Sequence, residues 1–284
     1  MNACPLCLGP VQLYSTVRGS DYFECCHCDF ISLSTEALDA IDAGNTIRNF
    51  DQNYWKDEMW PARERSFGPS LSRFAELMLY ARIPVHRFLD IGSGTGHYLD
   101  ALSFLMPSSK NRFYGVEPFP PEKQYRTRHP NFMVGRVSDV PGPFQAGTCI
   151  EVIEHLTPRM VENLARDLAK CTVPGSIFLF NTGLTDFVKQ EDPGYLDPDG
   201  RGHISIWSVT AARHIFSQYG FSVYPLRAKN WAFIVERNFP EQDIHSINMD
   251  ERIWTHLKSN EAVLRDPVTT DVMYYLGMDA ARAH

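Results

Sequence analysis

Three closely spaced glycines constrain the fold of this chain more than any other feature. The apolar segment RFLDI, residues 87–91, leads directly into GSGTG at residues 92–96, and a helical pattern starts at the last glycine. Glycine lacks a Cβ, so the backbone can turn with positive φ and approach a ligand closely where a strand passes into a helix. The sequence therefore predicts a ligand-binding turn at the start of an α/β fold.

An acidic residue, Glu117, ends the next apolar run and lies 21 residues after Gly96. In doubly wound folds an acid at about this distance binds the two hydroxyls of a ribose. The glycine spacing is G-x-G-x-G, whereas the dinucleotide fingerprint requires a third glycine where this chain has His97. The two features together predict a nucleoside cofactor, and the spacing argues against nicotinamide or flavin.

Apolar runs of strand length alternate with helical patterns from residue 85 onward. The predicted strands span residues 85–90, 112–116, 131–134, 148–153, 176–181, 221–226 and 231–236. The predicted helices span residues 96–105, 122–128, 158–170 and 210–219. This alternation is typical of a parallel sheet with crossover helices.

The same patterns divide the chain into four predicted parts. Residues 1–33 form a cysteine-bearing unit, and residues 34–84 a mostly helical linker or lid. Residues 85–239 form the cofactor-binding domain, in which residues 186–202 are rich in glycine and proline and are expected to loop over a site. Residues 240–284 form a tail with only a patchy helical pattern.

The segment LDIGSGTG, residues 89–96, closely resembles the first motif of the class I S-adenosylmethionine (SAM) methyltransferases, and the resemblance extends over about residues 85–236. It implies a Rossmann-like, doubly wound, mostly parallel sheet of seven strands. In that family the glycine loop packs against the methionine part of SAM and the acid binds the ribose. The residues thereby implied in SAM binding are Asp90, Gly92, Ser93, Gly94, Thr95, Gly96, Glu117, Pro118 and Glu151.

The chain departs from the family pattern after the third strand. Relatives commonly carry an acid after the glycine that corresponds to Gly135, whereas this chain has Arg136 there. The nearest acid, Asp139, lies three positions further on. The contact to the adenine amino group is therefore left unassigned.

Acidic and histidine side chains follow two of the predicted strands. Glu151, Glu154 and His155 lie at the end of the fourth strand, and His203 lies in the loop after the fifth. The carboxyl ends of strands in open α/β sheets are where ligands bind. Two carboxylates and two imidazoles there are suitable ligands for a divalent ion.

The Glu–His arrangement resembles the metal site of the methyltransferases that modify the 3′-terminal 2′-hydroxyl of small RNAs, and also that of the ubiquinone-pathway O-methyltransferases. The resemblance implies that Mg²⁺ or Mn²⁺ positions the acceptor hydroxyl. Two alternatives stay open. His155 can act without metal as a general base, or the Glu-His-Leu segment can simply order the start of a helix.

Four cysteines near the N-terminus have the spacing of a zinc ribbon. Cys4, Cys7, Cys25 and Cys28 follow the pattern C-x2-C-x17-C-x2-C, in which two tight turns can share one tetrahedral ion. Four thiolates leave no open coordination position, so the predicted zinc is structural. The alternative is a set of free cysteines.

An aromatic segment precedes the glycine loop. In similar methyltransferases an N-terminal helix lies over the cofactor, and by this resemblance Tyr54 and Trp55 are expected to cover SAM. Arg63 and Arg65 are expected to meet a carboxylate or phosphate of the acceptor. The alternative is an amphipathic helix that is docked by its aromatic side chains.

Composition narrows the function classes. The net charge of −7, from 27 basic and 34 acidic side chains, argues against a protein whose main role is to hold nucleic acid. No apolar run reaches the ~20 residues of a membrane span, and the first residues lack the pattern of a signal peptide. Cysteines in a metal-like arrangement suit a reducing compartment. We therefore expect a cytoplasmic protein.

These observations predict a SAM-dependent methyltransferase with a small-molecule acceptor, most consistent with O-methylation of a metabolite or a sugar. An RNA methyltransferase that uses the cysteine unit for recognition is the first alternative. The second is a non-catalytic binding module that retains the SAM fold.

Overall fold

The computed structural model describes residues 3–45, 52–240 and 248–282. The chain divides into two compact units, each assembled from three segments. Residues 1–49, 151–167 and 180–235 form one unit, which we call the cysteine unit. Residues 50–150, 168–179 and 236–284 form the other, which we call the loop unit because it carries the glycine loop.

The N-terminal segment forms an antiparallel sheet followed by a helix: β1 (Val11–Val17), β2 (Ser20–Cys25), β3 (Ile31–Leu33) and α1 (Thr35–Asp42). Arg18 and Gly19 connect β1 to β2 and both have positive φ, +50° and +84°. Two such residues make the tight turn whose twist matches a hairpin. The side chain of Ser34 accepts the N–H of Ala37 and so begins α1.

The next segment contains the first half of the βα alternation: α2 (Gln52–Ser66), α3 (Pro69–Tyr80), β4 (Phe88–Ile91), α4 (His97–Leu105), β5 (Phe113–Glu117), β6 (Phe132–Val134) and β7 (Phe144–Ile150). Strand β4 pairs in parallel with both β5 and β7, and β5 pairs in parallel with β6. The crossover from β4 to β5 uses a helix, as parallel pairing requires.

The remaining elements complete two sheets: α5 (Pro158–Cys171), β8 (Thr172–Asn181), α6 (Thr185–Gln190), β9 (Ser205–Ile206), α7 (Val209–Phe216), β10 (Phe221–Leu226) and β11 (Lys229–Arg237). Seven strands form one mostly parallel sheet in the order β10-β11-β8-β7-β4-β5-β6. Strand β9 instead pairs with β3 and extends the N-terminal sheet to four strands. The predicted seven-stranded Rossmann-like fold is confirmed.

In its described residues, 248–282, the C-terminal tail contains three helices, α8 (Met249–Arg252), α9 (Lys258–Leu264) and α10 (Val272–Arg282). A Cβ at Gly277 would lie 2.8 Å from the backbone of Ala75, so α10 approaches α3 closely where it has no side chain. Asn260 accepts the N–H of Val85 and donates to the carbonyl of Ile83, at 2.9 and 3.1 Å. Helices α9 and α10 are therefore packed within the loop unit. None of the helices in the described ranges is both long and apolar enough to span a bilayer.

Two predicted elements are wrong. The helix predicted at residues 122–128 is a single 3₁₀ turn, Lys123–Tyr125, because the N–H of Thr127 donates to the carbonyl of Thr95 instead of continuing a helix. The loop predicted at residues 186–202 begins with α6, since its glycine and proline residues start only at Pro193.

The fourth predicted strand, residues 148–153, is also misplaced. The strand starts earlier and ends at Ile150. Glu151 has a φ of +53°, and its N–H donates to the carbonyl of Asn181. A left-handed residue cannot continue a strand, so the acidic residues that follow lie in a turn.

A buried ion pair holds the tail in the loop unit. Both carboxylate oxygens of Glu236 accept hydrogen bonds from Arg252 at 2.9 Å, and Arg82 also donates to both of them, at 3.1 and 2.9 Å. The side chains of Glu236 and Arg252 are each only 2% exposed. Removing one partner would leave a buried charge uncompensated.

We therefore expect Glu236→Ala to lower the free energy of unfolding by about 3–5 kcal/mol, measured by urea denaturation. Asp192→Ala is the control, because Asp192 pairs with Arg201 at 3.6 Å with side chains 38% and 49% exposed. Such exposed pairs contribute at most about 1 kcal/mol. Equal losses in the two variants would contradict a stabilising role for the buried pair.

Candidate functional site

The glycine loop is a left-handed turn that only glycine accommodates. Gly92, Gly94 and Gly96 have φ values of +71°, +52° and +75°. A Cβ at Gly96 would lie 2.2 Å from the Thr127 side chain and 2.8 Å from that of Phe132. The backbone conformation and the close packing together explain why glycines occupy these positions.

Strands β4 and β5 fix the base of this loop. The N–H groups of Gly92 and Ser93 both donate to the carbonyl of Val116, at 3.0 and 3.1 Å. The buried carboxyl of Asp90 accepts a hydrogen bond from Thr148 at 3.0 Å, and burial raises its pKa to about 7. Asp90 therefore lies beneath the loop and is held by a neighbouring strand.

Glu117 ends β5 and is joined directly to the glycine loop. One carboxylate oxygen accepts the N–H of Gly94 and the other accepts the N–H of Phe119, both at 2.9 Å. Burial raises the pKa of Glu117, while these two backbone donors lower it. A carboxylate oxygen can accept two hydrogen bonds, so each retains acceptor capacity for a ligand hydroxyl.

The other residues implied in SAM binding have different environments. Thr95 is buried within the loop, whereas Pro118 is exposed. Asp139 accepts the N–H of Arg136 at 2.8 Å and so caps a short turn. The nearest acid after β6, Asp139, is therefore used to stabilise a turn of the backbone.

Trp55, on α2, lies over the glycine loop. Its indole carbons would be 3.2–3.3 Å from a Cβ at Gly94, and its side chain is buried. The indole Nε1–H has no hydrogen-bond partner among the described residues. A buried donor of this kind is costly unless a ligand supplies an acceptor, so the surroundings of the loop fit a polar ligand such as SAM.

The two arginines of the aromatic segment have partners on the same helix or next to it. Arg65 pairs with Glu58, and the Arg63 guanidinium lies 4.9 Å from the centroid of the Phe67 ring. Both arginines are exposed.

The predicted Glu–His residues come together within the cysteine unit. Ligand atoms of Glu154, His155 and His203 all lie within 4.8 Å of one another. Glu154 is fully buried, and its Oε2 has no hydrogen-bond partner among the described residues. Burial raises the pKa of Glu154. We call these three side chains the Glu–His cluster.

Backbone carbonyls orient both imidazoles of the cluster. Nδ1 of His155 lies 3.0 Å from the carbonyl of Gly202, and Nδ1 of His203 lies 2.7 Å from that of Tyr195. A carbonyl only accepts, so each Nδ1 carries a proton, and a neutral imidazole in this tautomer has its lone pair on Nε2. A hydrogen bond from one ring nitrogen to a carbonyl is common for histidines that bind metals or accept protons through the other.

Glu151 lies beside the cluster and is fixed by two neighbours. Its carboxylate accepts hydrogen bonds from Asn181 at 2.6 Å and from the hydroxyl of Tyr195 at 3.1 Å. Burial, and then the nearby Glu154 carboxylate, raise the pKa of Glu151 to about 8. A half-buried and a fully buried carboxylate, Glu151 and Glu154, in contact with one hydroxyl form a site that favours a cation or a shared proton.

Tyr195 connects the members of this site, although the sequence analysis did not identify it. Its hydroxyl lies within hydrogen-bond distance of Glu151 and Glu154, its carbonyl orients His203, and its ring lies 4.2 Å from the His203 ring. The only sequence signal was its position in the predicted loop over a site. Nothing in that loop distinguished this tyrosine from its neighbours.

The four predicted zinc ligands also come together, within the cysteine unit. The Sγ atoms of Cys4 and Cys28 are 3.6 Å apart, and those of Cys7 and Cys25 are 3.4 Å apart. A tetrahedral ion with Zn–S bonds of about 2.3 Å would separate its sulfurs by about 3.8 Å. The N–H groups of Leu6 and His27 donate to the sulfurs of Cys4 and Cys25. The donor set and its spacing fit a metal.

A family model described as a methyltransferase domain matches residues 59–226, which is more than half of the chain. No curated protein matches this chain. Among solved structures, a Nostoc punctiforme protein assigned as an O-methyltransferase is 12% identical with a TM-score of 0.51, and the match covers 71% of this chain and 68% of that one. Human N-acetylserotonin methyltransferase with bound SAM is 15% identical with a TM-score of 0.49, covering 66% and 57%.

SAM-bound CalS10 of Micromonospora echinaspora, an amino pentose methyltransferase, is 16% identical with a TM-score of 0.48, covering 67% of this chain and 99% of that one. At these identities the structural likeness concerns the fold. The family match covers the glycine loop, Glu117 and the Glu–His cluster. The chain therefore belongs to the methyltransferase-domain family and is a SAM-dependent methyltransferase of the class I superfamily.

Proposed function

We propose that this enzyme methylates a hydroxyl oxygen of a small metabolite or a sugar. The observation that carries the proposal is the Glu–His cluster, in which two imidazole lone pairs and an unpartnered carboxylate oxygen are held in a largely buried site. A neutral amine already has a nucleophilic lone pair, whereas a hydroxyl must lose its proton to attack the methyl group efficiently. A set of proton acceptors and metal ligands therefore favours oxygen as the acceptor atom.

We further propose that the cluster holds a divalent ion, Mg²⁺ or Mn²⁺. Glu154, His155 and His203 would bind it, because the unpartnered Oε2 and the two Nε2 atoms are suitable ligand atoms. When bound, such an ion supplies Lewis acidity that lowers the pKa of an acceptor hydroxyl. The Tyr195 hydroxyl keeps Glu154 oriented, and His155, with 19% of its side chain exposed, is accessible to an acceptor.

For SAM itself, we propose that residues 92–96 hold the methionine part and that Glu117 binds the ribose. The left-handed loop leaves backbone free of side chains, and the Glu117 carboxylate is already oriented by two N–H groups. Trp55 would cover the loop and offer its N–H to the cofactor. Methyl transfer needs little covalent help from protein, so these residues act by alignment.

Glu117→Ala should lower SAM affinity by about tenfold or more in calorimetry, since the variant loses a preorganised acceptor for two hydroxyls. Glu122→Ala is the matched control, because the Glu122 side chain is exposed and accepts a hydrogen bond from its near neighbour Gln124. Unchanged affinity in Glu117→Ala would remove this acid from the SAM site.

Activity should be lost with a chelator and restored by Mg²⁺ or Mn²⁺. The kcat/KM of the His203→Ala variant should be at least about tenfold lower than that of the wild type. The reason is that the cluster would lose a metal ligand whose ring is oriented by the Tyr195 carbonyl. The exposed His214, on α7, provides the control variant His214→Ala.

If the activity is insensitive to the chelator but lost in His155→Ala, the metal mechanism is wrong and His155 acts as a general base without metal. Full activity in His155→Ala would contradict both versions.

We propose zinc as the ion of the four-cysteine site. Four thiolates that converge without an open position hold a metal for structure. Binding free energy in such a site contributes directly to folding free energy.

Elemental analysis should find one zinc per chain in the purified protein. Cys7→Ser should lose zinc and melt at a lower temperature, whereas Cys26→Ser should keep both, because Cys26 is exposed and lies outside the cluster. If the purified protein contains no zinc and both variants melt at the same temperature, the cysteines are free thiols.

A further inference from the structure

The cysteine-bearing sheet is paired with the strand that follows His203. Strand β3 pairs with β9 in the register Ile31–Ile206 and Ser32–Ser205. The N–H of Leu33 also donates to the carbonyl of Ile204 at 3.1 Å. The backbone directly after His203 is thus held by hydrogen bonds to the N-terminal sheet.

Tyr22 reaches His203 itself. Tyr22 lies on β2, three residues before the zinc-ligand candidate Cys25, and is completely buried. Its hydroxyl donates to the carbonyl of His203 at 2.6 Å. Because Tyr195 accepts a hydrogen bond from the imidazole, His203 is fixed at both its backbone and its ring.

The second cysteine turn also contacts both ends of the segment that carries Tyr195 and His203. Thr185, at the start of α6, donates its hydroxyl hydrogen to the carbonyl of Asp29 at 2.7 Å. Ser208, which caps α7, does the same to the carbonyl of Cys28. Both ends of the segment 185–208 are therefore hydrogen-bonded to the second cysteine turn, at Cys28 and Asp29.

We infer that the four-cysteine sheet is a brace for the Glu–His cluster and that Tyr22 is a positioning residue for His203. The inference rests on the proposed function, because it gives the cysteine unit a role in the reaction through His203. It differs from a recognition role, in which the cysteine turns would be free to contact a substrate or a partner.

The packing around Tyr22 separates its hydroxyl from its ring. The ring belongs to a buried cluster that includes Ile31, Tyr195, Leu196 and Ile206. Phenylalanine would retain this packing and lose only the hydrogen bond to His203. Tyr22→Phe therefore tests the positioning contact without opening a cavity.

The loop unit offers a matched control. Tyr98 is also buried, and its hydroxyl also donates to a backbone carbonyl, that of Ser70, at 2.7 Å. Tyr98→Phe removes the same kind of hydrogen bond from residues outside the Glu–His cluster. The two variants should lose similar amounts of stability. Any difference between them in metal binding or in the His203 signal is then due to the position of His203 and not to a general loss of folding.

The experiment compares the purified full chain with both variants by two measurements. The first is Mn²⁺ affinity by electron paramagnetic resonance, and the second is the ring ¹⁵N–¹H signal of His203 in histidine-labelled protein, assigned with His203→Ala. We expect Tyr22→Phe to weaken Mn²⁺ binding about tenfold and to shift the His203 signal. Tyr98→Phe should change neither.

Equal Mn²⁺ affinities and an unmoved His203 signal in Tyr22→Phe would overturn the inference and leave the proposed metal site intact. If the wild-type protein binds no Mn²⁺, the metal part of the proposed function fails, and the His203 signal alone decides the inference. A shift confined to Tyr22→Phe then supports the brace, and its absence overturns it.

Discussion

Hydrogen bonds from the backbone orient the ionisable side chains on which both candidate sites depend. Glu117 accepts the N–H groups of Gly94 and Phe119, and His155 and His203 each donate to a carbonyl. The main chain is the most rigid part of a protein, so groups tied to it lose little further freedom when a ligand arrives. Preorganisation of this kind suits a methyl transfer, which depends on alignment more than on covalent chemistry.

Local patterns predicted the parts of the fold that depend on local chemistry. The glycines at residues 92–96 report a left-handed turn, the cysteine spacing reports two tight turns, and periodicity located most strands. Prediction failed where a distant partner decides the conformation. The helix expected at residues 122–128 is replaced because Thr127 bonds to Thr95, and the strand expected to reach residue 153 stops where Glu151 bonds to Asn181.

The same distinction applies to the sites. Glu151, Glu154, His155 and His203 were identifiable because they follow predicted strands, at the edge where open α/β sheets bind ligands, and because acids and histidines are metal ligands and proton acceptors. The tyrosines that orient them were not, because an isolated tyrosine carries no sequence signal. Tyr22 contacts a residue 181 positions away, and only the pairing of β3 with β9 brings the two together. Residues that orient a ligand-binding side chain from a distant part of the chain depend on the topology of the fold, so they are the hardest to find from a sequence.

The two glutamates give the strongest physical reason to regard the Glu–His cluster as functional. Glu154 is fully buried and Glu151, beside the cluster, is half-buried; both lie within hydrogen-bond distance of one tyrosine hydroxyl, and both have raised pKa values. A protein selected only for stability would favour apolar side chains at such positions, because uncompensated buried carboxylates cost free energy. Their persistence beside two oriented imidazoles is explained if a cation or an acceptor proton compensates them during turnover. In that case the hydrogen bonds from the cysteine-bearing sheet to His203 and to the strand after it help to position the Glu–His cluster.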